Sequence, residues 1–272
     1  MKNYLHFIFK NVDAEQSSIL IAILNEIGFT GFEESDQALS AYIPEKDFSE
    51  STFNELISPM KIEWEQKTIE ETNWNAVWES NFEPICVEDY VAIRAEFHEP
   101  MTGVEKEIVI TPKMSFGTGH HATTYMMVSL MRKLNFTDKR VFDFGTGTGI
   151  LAILAEKSGA STVFAIDNDQ WSIDNTIENL QRNQCAKVEV KLLDTPVGLS
   201  QFDIVLANIN KSIILQFLDA IYQSTAENGS ILLSGLLKED QPDITRAIEK
   251  YNLQVIDIQE RKGWIALYLT KK

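Results

Sequence analysis

The stretch VFDFGTGTGILAILA, residues 141–155, changes its hydrophobic period at a run of glycines. Its first four residues are typical of a short buried strand, and the apolar residues after the glycines, followed by Glu156 and Lys157, predict a helix packed on a sheet. Glycine at every second position permits a tight turn with positive φ and lets a ligand approach main-chain N–H groups. The stretch therefore predicts a strand, a cofactor-binding turn and a helix in succession.

The spacing of these glycines, and of an aspartate that follows them, indicates the cofactor. A dinucleotide fingerprint G-x-G-x-x-G would place its third glycine at position 150, which is Ile150. A second predicted strand, residues 162–166, ends at Asp167, where a carboxylate can accept both hydroxyls of a ribose. This combination fits a nucleoside without a pyrophosphate, of which S-adenosylmethionine is the common one. For the glycines alone, an ordinary strand-to-helix turn is the alternative.

The composition describes an ordinary globular protein with an unusual charge. Its 272 residues, 44% hydrophobic and 24% charged, are enough for two domains. The formal net charge of −16 opposes binding to a phosphate backbone or an anionic membrane and favours a basic partner. Cys86 and Cys185 are too few for a disulfide framework or a zinc site, and the apolar run at residues 4–9 is too short for a signal peptide or a membrane span. We therefore expect a cytoplasmic protein.

Residues 1–70 have the element order of a small α+β domain. Strands are predicted at residues 3–9, 31–34, 38–42 and 61–69, with helices at 13–27 and 49–57. The order β-α-β-β-α-β is that of a ferredoxin-like domain. Through residue 72 the chain has fourteen Asp or Glu and five Lys or Arg, a net charge of −9. The domain either recognises a basic protein or only packs, and the sequence leaves both open.

Residues 71–100 are predicted to link this domain to a second one. Trp74 and Trp78 lie four residues apart, on one face of a short helix predicted over 73–82. Such a pair is more typical of a hydrophobic latch between domains than of a ligand site. Strands at 90–95 and 106–111 are predicted next.

From residue 101 to 272, strands and helices alternate. Helices are predicted at 125–134, 171–182, 212–224 and 242–251, and further strands at 188–193, 202–207, 230–233, 253–260 and 264–269. This alternation predicts a mostly parallel sheet covered on both faces, with ligands at its carboxyl edge. The last two strands have no helix between them and should form an antiparallel hairpin, as in the methyltransferase variant of the doubly wound sheet. The predicted fold class is α/β: a Rossmann-like, seven-stranded class I methyltransferase domain preceded by the ferredoxin-like domain.

A second glycine-rich turn, PKMSFGTGHHATT at residues 112–124, precedes the first helix of this domain. A turn at a helix N-terminus offers backbone donors and capping oxygens, so Thr123 or Thr124 either contacts a ligand or is simply the N-cap. His120 and His121 are adjacent, and neighbouring side chains in an extended loop diverge. We therefore predict no metal site.

Two further strand ends carry polar side chains. Asp194 either accepts from an adenine amino group or is a solvated turn aspartate. Asn208 follows the buried strand IVLA and faces the place where the methyl group would lie, unless it closes a turn through its own backbone.

Together these residues resemble the bacterial ribosomal protein L11 methyltransferase family, PrmA. The residues that carry the resemblance are SFGTGHHATT at 115–124, DFGTGTG at 143–149, Asp167 and LANI at 206–209. The glycine turn is shared by many methyltransferases, whereas FGTGxHxTT joined to ANI is far more specific. The resemblance covers nearly the whole chain, including the small N-terminal domain, which recognises the ribosomal protein in that family.

The resemblance implies a site and a reaction. It implies cofactor contacts from Thr124, Gly145, Asp167 and Asn208, with Gly147, Phe116 and Thr118 beside them. Methyl groups would pass from S-adenosylmethionine to lysine amines of L11, with its N-terminal amine as a second kind of target. An amine must lose its proton before it attacks, and Asn208, the candidate catalytic residue, would position the neutral amine without acting as a strong base. The expected enzyme is a monomer that acts on L11, free or on the ribosome, with no nucleic-acid specificity and no membrane partner.

The chain departs from the family pattern in one loop. Many members have a glycine and an alanine where this chain has Lys113 and Ser115, and often a proline at Ala122. The departures leave the cofactor residues intact and the substrate-side loop less well defined.

Other functions remain open from the sequence. One is a nucleic-acid base methyltransferase, of RNA for example. Methyltransferases that act on adenine or on a glutamine amide commonly have an Asn or Asp, two prolines and an aromatic residue at this strand end. Here Ile209, Asn210 and Lys211 follow Asn208, and the charge opposes a phosphate backbone. A methyltransferase of another protein, or a non-catalytic S-adenosylmethionine-binding protein, fits the same motifs. Ile150 makes a nicotinamide dehydrogenase the weakest alternative.

Overall fold

The chain forms two compact units. The computed structural model describes residues 3–35, 38–70, 82–112, 119–199 and 201–272. The units are Met1–Val77 and Trp78–Lys272. The helix predicted over residues 73–82 lies outside the described residues, apart from Phe82. The rest of the predicted linker contributes strands to the second unit, so part of it belongs to that unit.

The first unit has one four-stranded sheet. Its elements are β1 (Asn3–Lys10), α1 (Ala14–Glu26), β2 (Gly31–Ser35), β3 (Ala38–Pro44), α2 (Glu50–Ile57) and β4 (Trp64–Glu70), with short 3-10 turns at Glu45–Asp47 and Ser58–Met60. The strand order β2-β3-β1-β4 with antiparallel neighbours is the predicted ferredoxin-like arrangement. Asp13 caps α1 as predicted, because its Oδ1 accepts from the Gln16 N–H at 2.8 Å. Phe7, Phe9 and Phe53 are fully or almost fully buried in the core.

The second unit contains the remaining elements. They are β5 (Ile85–Val87), β6 (Val91–Ala95), β7 (Lys106–Ile110), α3 (Ala122–Met131), β8 (Arg140–Phe144), α4 (Ile150–Lys157), β9 (Thr162–Asp167), α5 (Gln170–Arg182), β10 (Val188–Leu192), β11 (Phe202–Asn208), α6 (Lys211–Ser224), β12 (Thr225–Leu237), a 3-10 turn (Lys238–Asp240), α7 (Gln241–Ile248), β13 (Leu253–Arg261) and β14 (Trp264–Lys271). Within the ranges that the structure describes, no helix is both long and apolar enough to cross a membrane.

The main sheet of the second unit has seven strands in the order β10-β9-β8-β11-β12-β14-β13. The strands from β10 to β12 run parallel, and β14 is antiparallel to both of its neighbours. The terminal strands therefore form the predicted antiparallel hairpin, and β14 lies inside the sheet while β13 forms its edge. The α/β fold class is confirmed.

Alternate residues of the central strand β11 face two separate cores. Ile204 and Leu206 pack with apolar residues of α3 and α4, whereas Val205 and Ala207 pack with those of α6 and α7. Because side chains of a strand point alternately to its two faces, the sheet is covered on both sides, as the alternating elements predict.

A separate three-stranded sheet, β5-β6-β7, belongs to the same unit. Strands close to β6 and β7 are predicted from the sequence, but β5 is not. All five residues of β6 are buried, and they lie in or beside the core that also holds α3 and α4.

Candidate active site

The glycine turn between β8 and α4 adopts a conformation that requires glycine. Gly145, Gly147 and Gly149 have φ values of +77°, +56° and +81°. A Cβ on Gly145 would overlap the Ile209 side chain, and one on Gly149 would lie 2.9 Å from Cγ2 of Thr176. The turn therefore brings backbone, without intervening side chains, to the carboxyl edge of the sheet.

Asp167 ends β9 and holds this turn in place. Its Oδ2 accepts from the Gly147 N–H at 2.9 Å, and its Oδ1 accepts from the Asp169 N–H at 3.1 Å. The Gly145 N–H donates to the Ile166 carbonyl at 2.9 Å, which adds a backbone link to the same strand. Each carboxylate oxygen keeps a free lone pair, so the group can still accept from ligand hydroxyls.

A cleft of about 500 Å³ opens at this edge. Four of the predicted site residues line it, namely Gly145, Gly147, Asp167 and Asn208. Thr124 lines a smaller recess of about 20 Å³, which shares Gly145 and Asn208 with the cleft. The structure thus brings all five predicted site residues to one place.

Asn208 is the last residue of β11, and its side chain is almost fully buried. Its exposed fraction is 7%, and its Nδ2 donates to the Thr124 Oγ1 at 3.4 Å. Its Oδ1 is buried without a hydrogen-bond partner among the described residues. The described contact of this side chain is thus with α3 and not with the backbone of a turn. A buried acceptor without a partner costs about 1–3 kcal/mol, and a ligand that donates a hydrogen bond would recover this energy.

The start of α3 differs from the predicted one. The helix begins at Ala122, and His121 is its N-cap, with the ring Nδ1 3.4 Å from the Thr123 nitrogen. Thr123 and Thr124 are both buried in the first turn, so neither is the N-cap. The helix starts three residues before the predicted residue 125, so Thr124 lies in its first turn, buried beside Asn208. Lys113, Ser115, Phe116 and Thr118 lie outside the described residues.

The two adjacent histidines contact different aromatic rings. His120 packs edge-on against Phe82 at 4.8 Å, and His121 packs edge-on against Trp264 at 4.6 Å between ring centroids. Burial lowers the pKa of both imidazoles. In the part of the chain that the structure describes, no three His, Cys, Asp or Glu side chains are grouped to hold a metal ion.

Asp143 is a buried carboxyl group that sequence reasoning did not single out. It lies in β8, two residues before Gly145, and its side chain has no solvent exposure. Neither carboxylate oxygen has a partner in hydrogen-bonding geometry among the described residues. The pKa of Asp143 is raised to about 7, mainly by burial and to a smaller extent by the charge of Asp167, against the opposing effect of the nearby Thr146 hydroxyl. Its position in a strand gave no sign of this property.

Other cleft residues come from distant parts of the chain. Asn168, Ser172, Ile209, Ile213, Gly235 and Trp264 line the cleft but were not predicted. Asn168 follows Asp167 directly and its position was a usable signal, whereas Trp264 reaches the cleft only through the pairing of β14 with β12. Asp194 is exposed and also lines the cleft, and its contact with adenine remains a prediction.

The strand order and the site together define a class of protein. When the seven strands of the main sheet, β8 to β14, are numbered 1 to 7 in chain order, their order in the sheet is 3-2-1-4-5-7-6. A glycine turn follows the first strand, and an acidic residue ends the second. This is the class I fold of S-adenosylmethionine-dependent methyltransferases.

Comparison with known proteins identifies the family. The model of the family described as ribosomal protein L11 methyltransferase (PrmA) matches residues 11–272. The ribosomal protein L11 methyltransferase of Porphyromonas gingivalis is 39% identical over 260 residues, covering 93% of this chain and 90% of the relative. That of Chlorobaculum tepidum is 33% identical, covering 99% and 97%. The crystal structure of a ribosomal protein L11 methylase from Lactobacillus delbrueckii subsp. bulgaricus is 27% identical, with a TM-score of 0.66 over 70% of this chain and all of that one. The chain belongs to the ribosomal protein L11 methyltransferase family.

Proposed function

We propose that the protein transfers methyl groups from S-adenosylmethionine to amino groups of ribosomal protein L11. The observation that carries the proposal is the extent of the family match, which begins at residue 11 and spans both units. The unit with the cleft and the acidic unit before it are therefore both shared with proteins named for L11 methylation. The targets are lysine side chains and the N-terminal amine.

The described residues fit the cofactor. Gly145 and Gly147 have positive φ values, which favour glycine, and so the backbone at the cleft has no side chains here. A nucleoside that lies close to the backbone needs this space. Asp167, fixed by two backbone N–H groups, would accept from the ribose hydroxyls. Thr124 and Asn208 would lie at the opposite end of the ligand. The bound cofactor supplies an electrophilic methyl group on a sulfonium, so the protein's task is mainly to position the two reactants.

The target amine must reach the site without its proton. An ordinary lysine amine has a pKa of about 10.4, and removal from water disfavours its charged form. The buried Oδ1 of Asn208 is free to accept one N–H of a neutral amine and so to orient its lone pair. Asn208 would thus be catalytic by positioning and not by taking the proton.

The first unit would dock the substrate. Its described acidic side chains are exposed, at Asp13, Glu26, Glu33, Glu34, Glu45, Asp47, Glu50, Glu55, Glu63 and Glu65. An exposed charge of this sign attracts a basic partner, and salt screens the attraction. The same proposal places the enzyme in the cytoplasm as a monomer that takes L11 free or on the ribosome, without specificity for nucleic acid.

The test is methyl transfer from labelled S-adenosylmethionine into the ribosomal proteins of a methylation-deficient extract, with the labelled band identified by mass. We expect label on L11, at a rate that falls as salt rises. At a cofactor concentration near the parent's dissociation constant, Asp167→Ala should remove almost all of the label. Glu189→Ala, which removes an exposed carboxylate outside the cleft, should not. Label only in RNA or in another protein, or none despite measured cofactor binding, would show that the substrate is wrong while the fold stands.

A further inference from the structure

His121 lies where two separate walls of the site meet. Its Nδ1 is 3.4 Å from the backbone nitrogen of Thr123 and 2.8 Å from the Thr123 Oγ1. A backbone N–H can only donate, so Nδ1 must be the acceptor and carries no proton. The Thr123 hydroxyl then donates to the same nitrogen. Burial, which lowers the pKa of this imidazole, favours the same neutral form with its proton on Nε2.

The first wall is the start of α3. As its N-cap, His121 satisfies a donor that the helix itself leaves free, which fixes where the helix begins. Thr124 lies three residues further on, within that first turn, and accepts from the Asn208 Nδ2. The position of Thr124, and with it the only hydrogen bond described for the Asn208 side chain, depends on this cap.

The second wall is the terminal hairpin. Trp264, the first residue of β14, lines the cleft and is the largest apolar side chain that does so. The His121 ring meets it edge to face, with centroids 4.6 Å apart and planes at 74°. Edge-to-face is one of the two geometries that aromatic pairs prefer, so the contact favours this relative orientation of the two rings. One side chain thus touches both α3 and the indole.

We propose that His121 is a positioning residue that sets both walls, Thr124 through its Nδ1 and Trp264 through its ring edge. The consequence for methyl transfer rests on the proposed function, but the two placements do not. Because the two roles use different parts of the imidazole, they can be separated by substitution. The cap role governs cofactor affinity, and the ring role governs the fit of the substrate against Trp264.

Three substitutions separate the roles in the full-length protein. His121→Asn keeps a good N-cap acceptor and loses the ring. His121→Phe keeps an aromatic edge and loses the acceptor. His121→Ala loses both. The readouts are the dissociation constant of S-adenosylmethionine by calorimetry, the indole N–H signal of Trp264 by NMR, assigned with Trp264→Phe, and KM for L11.

We expect the dissociation constant of S-adenosylmethionine to rise about fivefold in His121→Phe and His121→Ala, because the loss of a helix cap has about this effect. In His121→Asn it should change less than twofold. The Trp264 signal should move in Asn and Ala and stay near its parent position in Phe, and KM for L11 should follow the Trp264 signal. The proposal is overturned if His121→Asn and His121→Phe change the same readout. It is also overturned if a folded His121→Ala changes neither the dissociation constant of the cofactor nor the Trp264 signal. If Ala does not fold, the Asn and Phe pair decides alone. Cofactor affinity and the indole signal are read without L11, so failure of L11 methylation in the parent would count against the proposed function only.

Discussion

The carboxyl edge of the main sheet has two halves with opposite hydrogen-bonding states. In the half around the β8–α4 turn and Asp167, which we call the cofactor half, both carboxylate oxygens accept from backbone N–H groups at 2.9 and 3.1 Å. In the half around Asn208, Thr124 and Trp264, which we call the transfer half, the one described side-chain hydrogen bond of Asn208 is 3.4 Å long and its Oδ1 has no described partner.

The difference separates two kinds of ligand. A ligand that is the same in every cycle is best met by groups already fixed, because no reorganisation is then needed on binding. A protein substrate binds and leaves, so the groups that contact it lack hydrogen-bond partners until it binds. Asp143 lies between the halves, because β8 pairs with β9 on one side and with β11 on the other.

Replacement of Asp143 should give the largest change in free energy, and the change is in stability. It tests whether the carboxyl group between the two halves is ionised in the folded protein. The pKa of Asp143 is raised by burial from its ordinary 3.8 to about 7, so the folded protein binds more protons than the unfolded one between these values. Its contribution to stability is therefore complete below pH 4 and is lost as pH rises to 7. Between pH 4 and pH 8 the free energy of unfolding of the parent should therefore fall by about 4 kcal/mol relative to that of Asp143→Asn. Denaturant titrations at several pH values measure this, with the exposed Asp219→Asn as control. Parallel curves for Asp143→Asn and the parent would mean that the carboxyl group is ionised throughout.

Asp167→Ala should break the cofactor half alone. It removes the ribose acceptor and releases the Gly147 and Asp169 N–H groups, so we expect the dissociation constant of S-adenosylmethionine to rise about 100-fold, or about 2.7 kcal/mol. Asp167→Asn keeps one acceptor oxygen and should lose about tenfold. Calorimetry measures both. Equal affinities of the parent and the Ala variant would remove Asp167 from the site.

Asn208→Ala should act on the transfer half, and its expected effect is smaller than that of Asp167→Ala. The turnover number with L11 should fall about 20-fold, or about 1.8 kcal/mol, while the dissociation constant of the cofactor changes less than threefold. Thr124→Val keeps the shape and removes the hydroxyl that accepts from Nδ2 and that we expect to contact the cofactor. It should cost less in turnover, about threefold, and raise the dissociation constant of the cofactor about fivefold. Single-turnover kinetics with L11 measure these changes. If affinity falls and turnover does not, Asn208 belongs to the cofactor half and the division of the edge is wrong.

Local patterns predicted most of the fold. The glycine turn, the alternating strands and helices and the terminal hairpin each have a signature within about 20 residues of sequence, and all of them are confirmed. Strand β5 was missed because three residues, Ile85–Val87, are too short to show a period. The start of α3 was placed three residues late because threonine is a common N-cap and histidine is not.

The site was predictable only where its chemistry is local. Asp167 and Asn208 stand out because each ends a strand with a polar side chain. Trp264 does not, since only the strand order brings it to the cleft. The properties of Asp143 and of the Asn208 Oδ1 come from burial, which depends on tertiary packing that no single stretch of sequence reports.

The order of β12, β14 and β13 in the sheet has a consequence for how the protein is made. Strand β13 is synthesised before β14, yet β14 lies between it and β12. Until β14 has left the ribosome tunnel, β13 has no partner in the sheet and β12 has only β11. The tryptophan of the cleft is the first residue of that same late strand. A nascent chain that already carries the whole glycine turn therefore still lacks one wall of its cleft. The enzyme gains a complete site only after β14 has been made, when its acidic first unit has had time to fold.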